Sequence, residues 1–412
     1  MNAPADTAVT IETAVAALGP GPLSAAGVAR HVAPLFSRVL ERNSGEIYLA
    51  NHSLGRPLDA TASDLVEAFG LWQARMGEAW DSWSGEMQAY RTRLARLLSA
   101  PRADCVVPKT SAGQGLRAIL NTYDTVPRIV ATRGEFDSID IILRQYARRG
   151  RIALRFVEPR ESGLFSVEDL FAAVRSGVDL VVLSQVMFNT GQVVPELHEL
   201  IAAAHAGGAR VLIDVYHSLG VFPIDIAALD ADFAIGGSYK YLRGGPGACY
   251  LYLHPRHLDG SLSTLDAGWF AKKRPFAYRR PDPPEWASGG DAFLESTPPV
   301  LTWYQARAGQ IFTLAIGVER LRDYSLTLQR QLVGLLADRG IAASGGDADR
   351  GAFSIVSFES GADGAERCVE ALAARGVATD ARGPWLRLCP DLLTTAGELQ
   401  RAVKVLAEVV RA

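Results

Sequence analysis

The stretch Ile235 to Tyr252, IGGSYKYLRGGPGACYLY, decides how this chain is read. An apolar run (ADFAIGG) leads to Lys240 between two tyrosines, and Gly244, Gly245, Pro246 and Gly247 follow before a second apolar run (ACYLYL). The pattern predicts strand, tight loop, strand, with the lysine in the loop. A lysine held against two buried strands is partly desolvated, which lowers its pKa and frees the neutral amine to attack a carbonyl. In VLIDVYHSLG, 26 residues upstream (240 − 214), Asp214 ends another short buried strand. Taken singly, a loop lysine and a strand-end aspartate are commonplace. Together they are the pair that pyridoxal phosphate chemistry requires, an amine for the aldehyde and a carboxylate for the pyridine nitrogen.

Working outward, short apolar strands alternate with amphipathic helices. Strands are predicted at 105–107, 128–131, 153–157, 180–183, 211–214, 233–235 and 249–253, and helices at 113–121, 138–148, 167–176 and 197–206. This is the signature of an α/β fold with a mainly parallel seven-stranded sheet covered on both faces. The tight Lys240 loop leaves no room for a crossover helix, so the last strand is expected to run antiparallel. Before the sheet, a leading arm (1–45) carries one helical piece, and Ile47 to Ala50 suits a short strand. Residues Leu65, Phe69, Trp72, Met76, Trp80, Trp83, Met87 and Tyr90 recur at helical spacing and predict two or three helices packed over the large domain (46–310). After it, a proline-broken segment (254–299), a helical stretch at 302–337, and a strand-helix-strand-helix pattern form a small α/β C-terminal domain (311–412).

Apolar residues make up 48% and charged residues 21% of the 412, with 42 Lys and Arg against 45 Asp and Glu, a net charge of −3. That balance does not point to nucleic acid or a membrane surface as a partner. Cys105, Cys249, Cys368 and Cys389 lack CxxC spacing and read as buried free thiols of a cytoplasmic protein, with no metal site. The first residues lack a basic region ahead of an apolar one, and no run is long enough to span a bilayer.

Ligands of open parallel sheets bind at the carboxyl ends of strands, and phosphates favour helix N-termini. In PKTSAGQGLRAIL, Ser111, Ala112 and Gly113 leave a strand and open a helix, where they suit a phosphate. Phe136, just after a strand, suits stacking on a pyridine ring. His217 lies three residues beyond Asp214, and Tyr239 precedes the lysine as a phosphate donor or proton carrier.

DVYHS, SYKYLRGGPG, GWF at Gly268 to Phe270 and STPP at Ser296 to Pro299, with NHSLG at Asn51 to Gly55, together resemble kynureninase, a family of fold type I pyridoxal phosphate (PLP) enzymes related to class V aminotransferases. The resemblance runs from about Tyr48 to Arg387. It implies Lys240 as the Schiff-base lysine, Asp214 as the pyridinium partner and Phe136 stacked on the ring. It places Ser111, Ala112, His217 and Tyr239 around the phosphate. It further implies a homodimer with shared sites, Trp269 and Thr297 coming from the other subunit. Arg387 would bind the α-carboxylate of a small amino-acid substrate, with His52 and Ser53 nearby. The implied reaction is hydrolysis of the Cβ–Cγ bond of a γ-keto amino acid such as L-kynurenine to alanine and an aryl acid. An aminotransferase, a β-lyase or desulfurase, and a non-enzymatic binding protein on the same fold are the alternatives. The chain departs from the family pattern at His52 (an asparagine in the family), Ile139 (an aspartate, with Asp140 one position late), Met187 (an asparagine), Ala271 with Lys272 (Gly-His) and Arg243 (often asparagine).

Overall fold

The computed structural model describes residues 6–175 and 177–411. The first five residues of the arm, Ser176 at the end of the helix expected over 167–176, and Ala412 lie outside the described residues. The strands are β1 (Ile47–Tyr48), β2 (Val106–Lys109), β3 (Arg128–Thr132), β4 (Ala153–Val157), β5 (Leu180–Ser184), β6 (Arg210–Asp214), β7 (Phe233–Gly237), β8 (Cys249–Leu253), β9 (Ser354–Ser357), β10 (Val377–Ala378), β11 (Asp380–Arg382) and β12 (Trp385–Leu388). Strands β2 to β8 form one seven-stranded sheet in the order β2-β8-β7-β6-β5-β3-β4.

The four parallel pairings among five apolar strands explain the topology. β4, β3, β5, β6 and β7 are parallel neighbours, joined by crossover helices that bury both faces. β7 and β8 are antiparallel, as the short Lys240 loop requires, and β2 closes the edge antiparallel to β8. Five strand ends or the loops just beyond them therefore converge on one edge of the sheet: Lys109, Thr132, Ser184, Asp214 and Gly237.

Helix Ala79–Leu98 lies against the sheet with Trp83, Met87, Tyr90, Leu94, Leu97 and Leu98 buried, each contributing roughly 1.5–3 kcal/mol by leaving water. The preceding helix, Ala60–Arg75, differs from its expected packing. Val66, Phe69 and Trp72, with Met76 just beyond it, form an exposed stripe, Trp72 being 50% accessible. Periodicity specified the helix but not what covers that face.

The second core joins both ends of the chain. Ile11, Val15, Val28, Val32 and Phe36 share one hydrophobic cluster with Phe312, Leu328, Leu332, Leu386, Leu399 and Leu406. The arm holds an additional helix, Thr7–Ala16, and the expected helix at 25–42 is a series of short α, π and 3-10 turns around Pro34. The long helical stretch divides at Gly317, whose φ of +92° breaks it into Leu301–Ile316 and Val318–Ala337. Residue 310, where the expected domains meet, lies inside the first of these. β9, β11 and β12 form an antiparallel sheet in the order β11-β12-β9, and β1 pairs with β10 in parallel. The strands β10 and β11 carried no clear sequence signal, being 2 and 3 residues long.

Candidate active site

The convergent strand ends border a cavity of about 380 Å³ lined by Ser53, Ser111, Ala112, Phe136, Asp214, His217, Tyr239 and Lys240 among others. Eight of the residues singled out from sequence are thus brought together by the structure. Lys240 is held from two sides. The backbone of NHSLG packs on its loop, with Gly55 N donating to Tyr239 O at 2.8 Å, and a Cβ on Gly55 would lie 2.0 Å from the Lys240 carbonyl oxygen. Helix Leu301–Ile316 supports the loop from beneath, where a Cβ on Gly309 would overlap the Leu242 carbonyl. Arg243 completes the turn in left-handed conformation (φ +55°), which disfavours a residue with a Cβ, and its buried guanidinium is anchored 3.1 Å from Asp391. This gives the Arg243 departure a use: it ties the lysine loop to the small sheet's far end.

The Lys240 ammonium is buried, and burial pulls its pKa down against the attraction of Asp214. Its Nζ lies 5.5 Å from the centroids of Phe136 and Tyr216 and 5.6 Å from that of Tyr239. The nearest polar partner is His217 Nε2 at 2.7 Å. Burial, then the charges of Lys240 and Arg387, push His217 well below the ordinary histidine range, so the ring is neutral. With Nζ donating, Nε2 accepts and the ring proton sits on Nδ1, a buried atom with no partner among the described residues. Asp214 is fixed by the Tyr216 amide, which donates to Oδ1 at 2.8 Å, and burial raises its carboxyl.

Lys109, the other buried lysine at this edge, is engaged quite differently from Lys240. Its Nζ donates to Phe293 O at 2.9 Å and Glu295 Oε1 at 2.7 Å, so its charge is matched and its donors are spent. No carboxylate lies within ion-pair distance of Lys240 among the described residues.

Ser111 caps helix Ala112–Leu120, its Oγ accepting from Gln114 N at 3.1 Å, and the first amides of that helix have no intrahelical acceptor. The site fits PLP on these observations: a buried amine in an aromatic cage, a carboxylate at the end of the neighbouring strand β6, amides that favour phosphate, and an orphaned histidine N–H that a ligand oxygen would satisfy.

Other expected residues lie outside the cavity. Trp269 Nε1 donates to Thr297 Oγ1 at 3.2 Å, and both sit away from Lys240 within this chain. Arg387 is buried, with 2% of its side chain accessible, and is engaged by Asp380: Nε donates to Oδ1 at 2.8 Å and Nη2 bonds Oδ2. His52 Nε2 meets Asp380 Oδ1 at 2.7 Å, and Ser53 Oγ donates to Oδ2 at 2.7 Å. Burial lowers His52 to about 4, leaving it neutral. Met187 is core, facing Gly134 and Thr132, and Asp140 is spent on Arg144.

Sequence reading missed Asp380, Tyr216, Phe188, Ser184 and Glu135. Ser184 was findable, since it ends β5 in register with Asp214. Its Oγ donates to buried Glu135 at 2.6 Å; burial raises Glu135 to about 7 against the bonds from Ser184 and Thr132. Asp380 faces Arg387 across β11 and β12, a pairing no local pattern reveals.

Fold and site define a PLP-dependent enzyme of fold type I. The chain belongs to the aminotransferase class-V family, whose model matches residues 60–387, and within it the sequence is kynureninase-like. It is 26% identical over 398 residues to the kynureninase of Bacillus thuringiensis subsp. konkukian, covering 91% of each chain. It is 30% identical over 389 residues to that of Pseudomonas fluorescens, covering 89% of each. The fold matches the solved cystine C–S lyase C-DES in complex with cysteine persulfide (TM-score 0.79, 20% identity, 90% of this chain and 99% of that one). It also matches the cysteine desulfurase of Thermococcus onnurineus NA1 (TM-score 0.76, 16% identity, 91% and 98%). No helix among the described residues is long and apolar enough to cross a membrane.

Proposed function

We propose that this protein is a kynureninase-like hydrolase that cleaves the Cβ–Cγ bond of a γ-keto amino acid such as L-kynurenine, yielding alanine and an aryl acid. The observation that carries the reading is Lys240 held as a desolvated amine opposite Asp214, in a chain similar to kynureninases over about nine-tenths of its length.

PLP bound there supplies an aldehyde for the substrate amine and a ring that withdraws electrons from Cα. Asp214, fixed by the Tyr216 amide, would hold the pyridine nitrogen and keep it protonated. Lys240, as a neutral amine, would take the Cα proton, with His217 Nε2 orienting its Nζ. Tyr239, whose hydroxyl burial keeps protonated, is placed to carry a proton to or from the substrate. One water is consumed: its oxygen ends in the aryl acid, and alanine carries the added hydrogen at Cβ.

The thiols speak against a desulfurase. Cys105, Cys249, Cys368 and Cys389 are all buried and free, and burial pushes Cys249 and Cys368 to about 11, so neither is a ready thiolate. Reduced, buried thiols also suit a cytoplasmic protein. We further place Trp269 and Thr297 at the cofactor of a second subunit in a homodimer, a role consistent with their position away from their own chain's cavity.

The test is anthranilate fluorescence on mixing the PLP-loaded protein with L-kynurenine. Anthranilate and alanine in equal amounts are expected. A 2-oxo acid in their place moves the function to transamination.

A further inference from the structure

We propose that Asp380 is a resident carboxylate that caps the Nε–Nη2 edge of Arg387, so that a substrate carboxylate pairs with that edge only by exchange for it. This deepens the preceding reading and rests on it in one respect, that the substrate is an α-amino acid whose carboxylate is met by Arg387.

Arg387 and Asp380 are direct cross-strand partners, brought opposite each other by the turn between β11 and β12. Both Asp380 oxygens are on the guanidinium, the fork-to-fork arrangement that an incoming carboxylate would need. The remaining Arg387 nitrogen, Nη1, bonds the Phe188 carbonyl. Asp380 thus fills the Nε–Nη2 edge and Phe188 takes one donor of Nη1, so a ligand that leaves Asp380 in place cannot make the two-bond contact on the Nε–Nη2 edge.

Two further side chains hold the cap. His52 Nε2 lies 2.7 Å from Oδ1 and Ser53 Oγ 2.7 Å from Oδ2. Because His52 is neutral and Asp380 charged, the imidazole must donate at Nε2. Burial opposes charge on Asp380, but the bonds from His52 and Arg387 outweigh it and hold the carboxyl well below the usual range. The cap is thus always ionised near neutral pH.

The displaced carboxylate has a receiver. Arg382 lies two residues along β11, its Nη2 3.8 Å from Asp380 Oδ2, and its side chain is 39% accessible. Asp380 itself is 19% accessible, and the pair sits directly behind the cavity wall, since Ser53, which bonds Asp380, and Phe188, whose carbonyl meets Arg387, both line the cavity. Asp380 acts through Arg387 and is a positioning residue. Its effect falls on carboxylate affinity rather than on bond cleavage.

The test is equilibrium titration of the full-length, PLP-loaded protein, followed by visible absorbance, with L-alanine and with ethylamine, which has an amine but no carboxylate. Asp380→Asn is expected to tighten L-alanine at least about tenfold and leave ethylamine unchanged, since the neutral amide is a weaker competitor for Arg387. Unchanged or weaker L-alanine binding overturns the cap, as does an equal shift for both ligands. If Asp380→Asn does not fold, Ser53→Ala decides, with tightening of L-alanine alone expected and any other result contrary. L-alanine that does not perturb the wild-type spectrum at all sinks the amino-acid reading, whereas wild-type binding with no gain in the variants sinks only the cap.

Discussion

The floor and the rim of the active site are built in opposite ways. The floor, comprising Ser111, Phe136, Asp214, His217, Tyr239 and Lys240, comes from the ends of β2, β3, β6 and β7 at one edge of one sheet. Each side chain sits within a few residues of a buried strand, so its place follows from local pattern and the rule that ligands bind at carboxyl ends. The rim, comprising His52, Ser53, Asp380 and Arg387, joins segments more than 300 residues apart, His52 and Asp380 being separated by 328. Its charges are matched inside the protein, whereas the floor keeps Lys240 and Asp214 desolvated. The floor is poised to react and the rim to be exchanged.

Asp214→Asn should break the floor most severely. Removing a fixed charge from a preorganised site costs on the order of 10²–10³ in kcat, read as the rate of product release under saturating substrate. A loss below tenfold would mean that Asp214 does not serve the ring.

Arg387→Ala tests the rim through stability. It leaves Asp380 charged without its guanidinium, a cost of about 3 kcal/mol measured by urea unfolding at pH 7. The same substitution should raise KM far more than it lowers kcat. If the unfolding midpoint does not move, the Asp380 pair is not a buried structural element.

His52→Asn sharpens the contrast by pH. His52 has a folded pKa of about 4, below its unfolded value of 6.5, so the unfolded chain binds more protons in between. Stability from this site is full above pH 6.5 and is lost as pH falls towards 4, by about 3 kcal/mol across the window. Asparagine does not titrate, so the variant should resist acid better than wild type, checked by urea midpoints at pH 7 and 4.5. Parallel loss in both proteins would contradict a buried neutral His52.

The smallest effect is expected away from both regions. Trp72→Ser, on the exposed stripe, should change the unfolding free energy of the monomeric chain by no more than about 0.5 kcal/mol. A larger change, dependent on protein concentration, would place the stripe in a subunit interface.

The same contrast explains what was legible in the sequence. All seven main strands were placed to within two residues at each end, because continuous apolar runs bounded by glycine or a helix start have few alternative readings. Phe69 and Trp72 were read as packed and are exposed, since periodicity reports a face and not its cover. Gly317 was passed over inside a helical pattern, where its positive φ ends one helix and starts the next. Arg387 was reached only by resemblance, and Asp380 not at all, because cross-strand pairing is set by the turn at Gly383 and Pro384 and not by composition. Ser184 and Glu135 were missed although the strand-end rule that found Asp214 applies equally to Ser184.

The most direct test of the central claim is borohydride reduction of the PLP-loaded protein followed by peptide mass mapping. The pyridoxyl mass should appear on the peptide carrying Lys240, and Lys240→Ala should lose both the adduct and the visible absorbance of bound cofactor. An adduct on Lys109 at this same sheet edge, or one that survives in Lys240→Ala, would contradict the account.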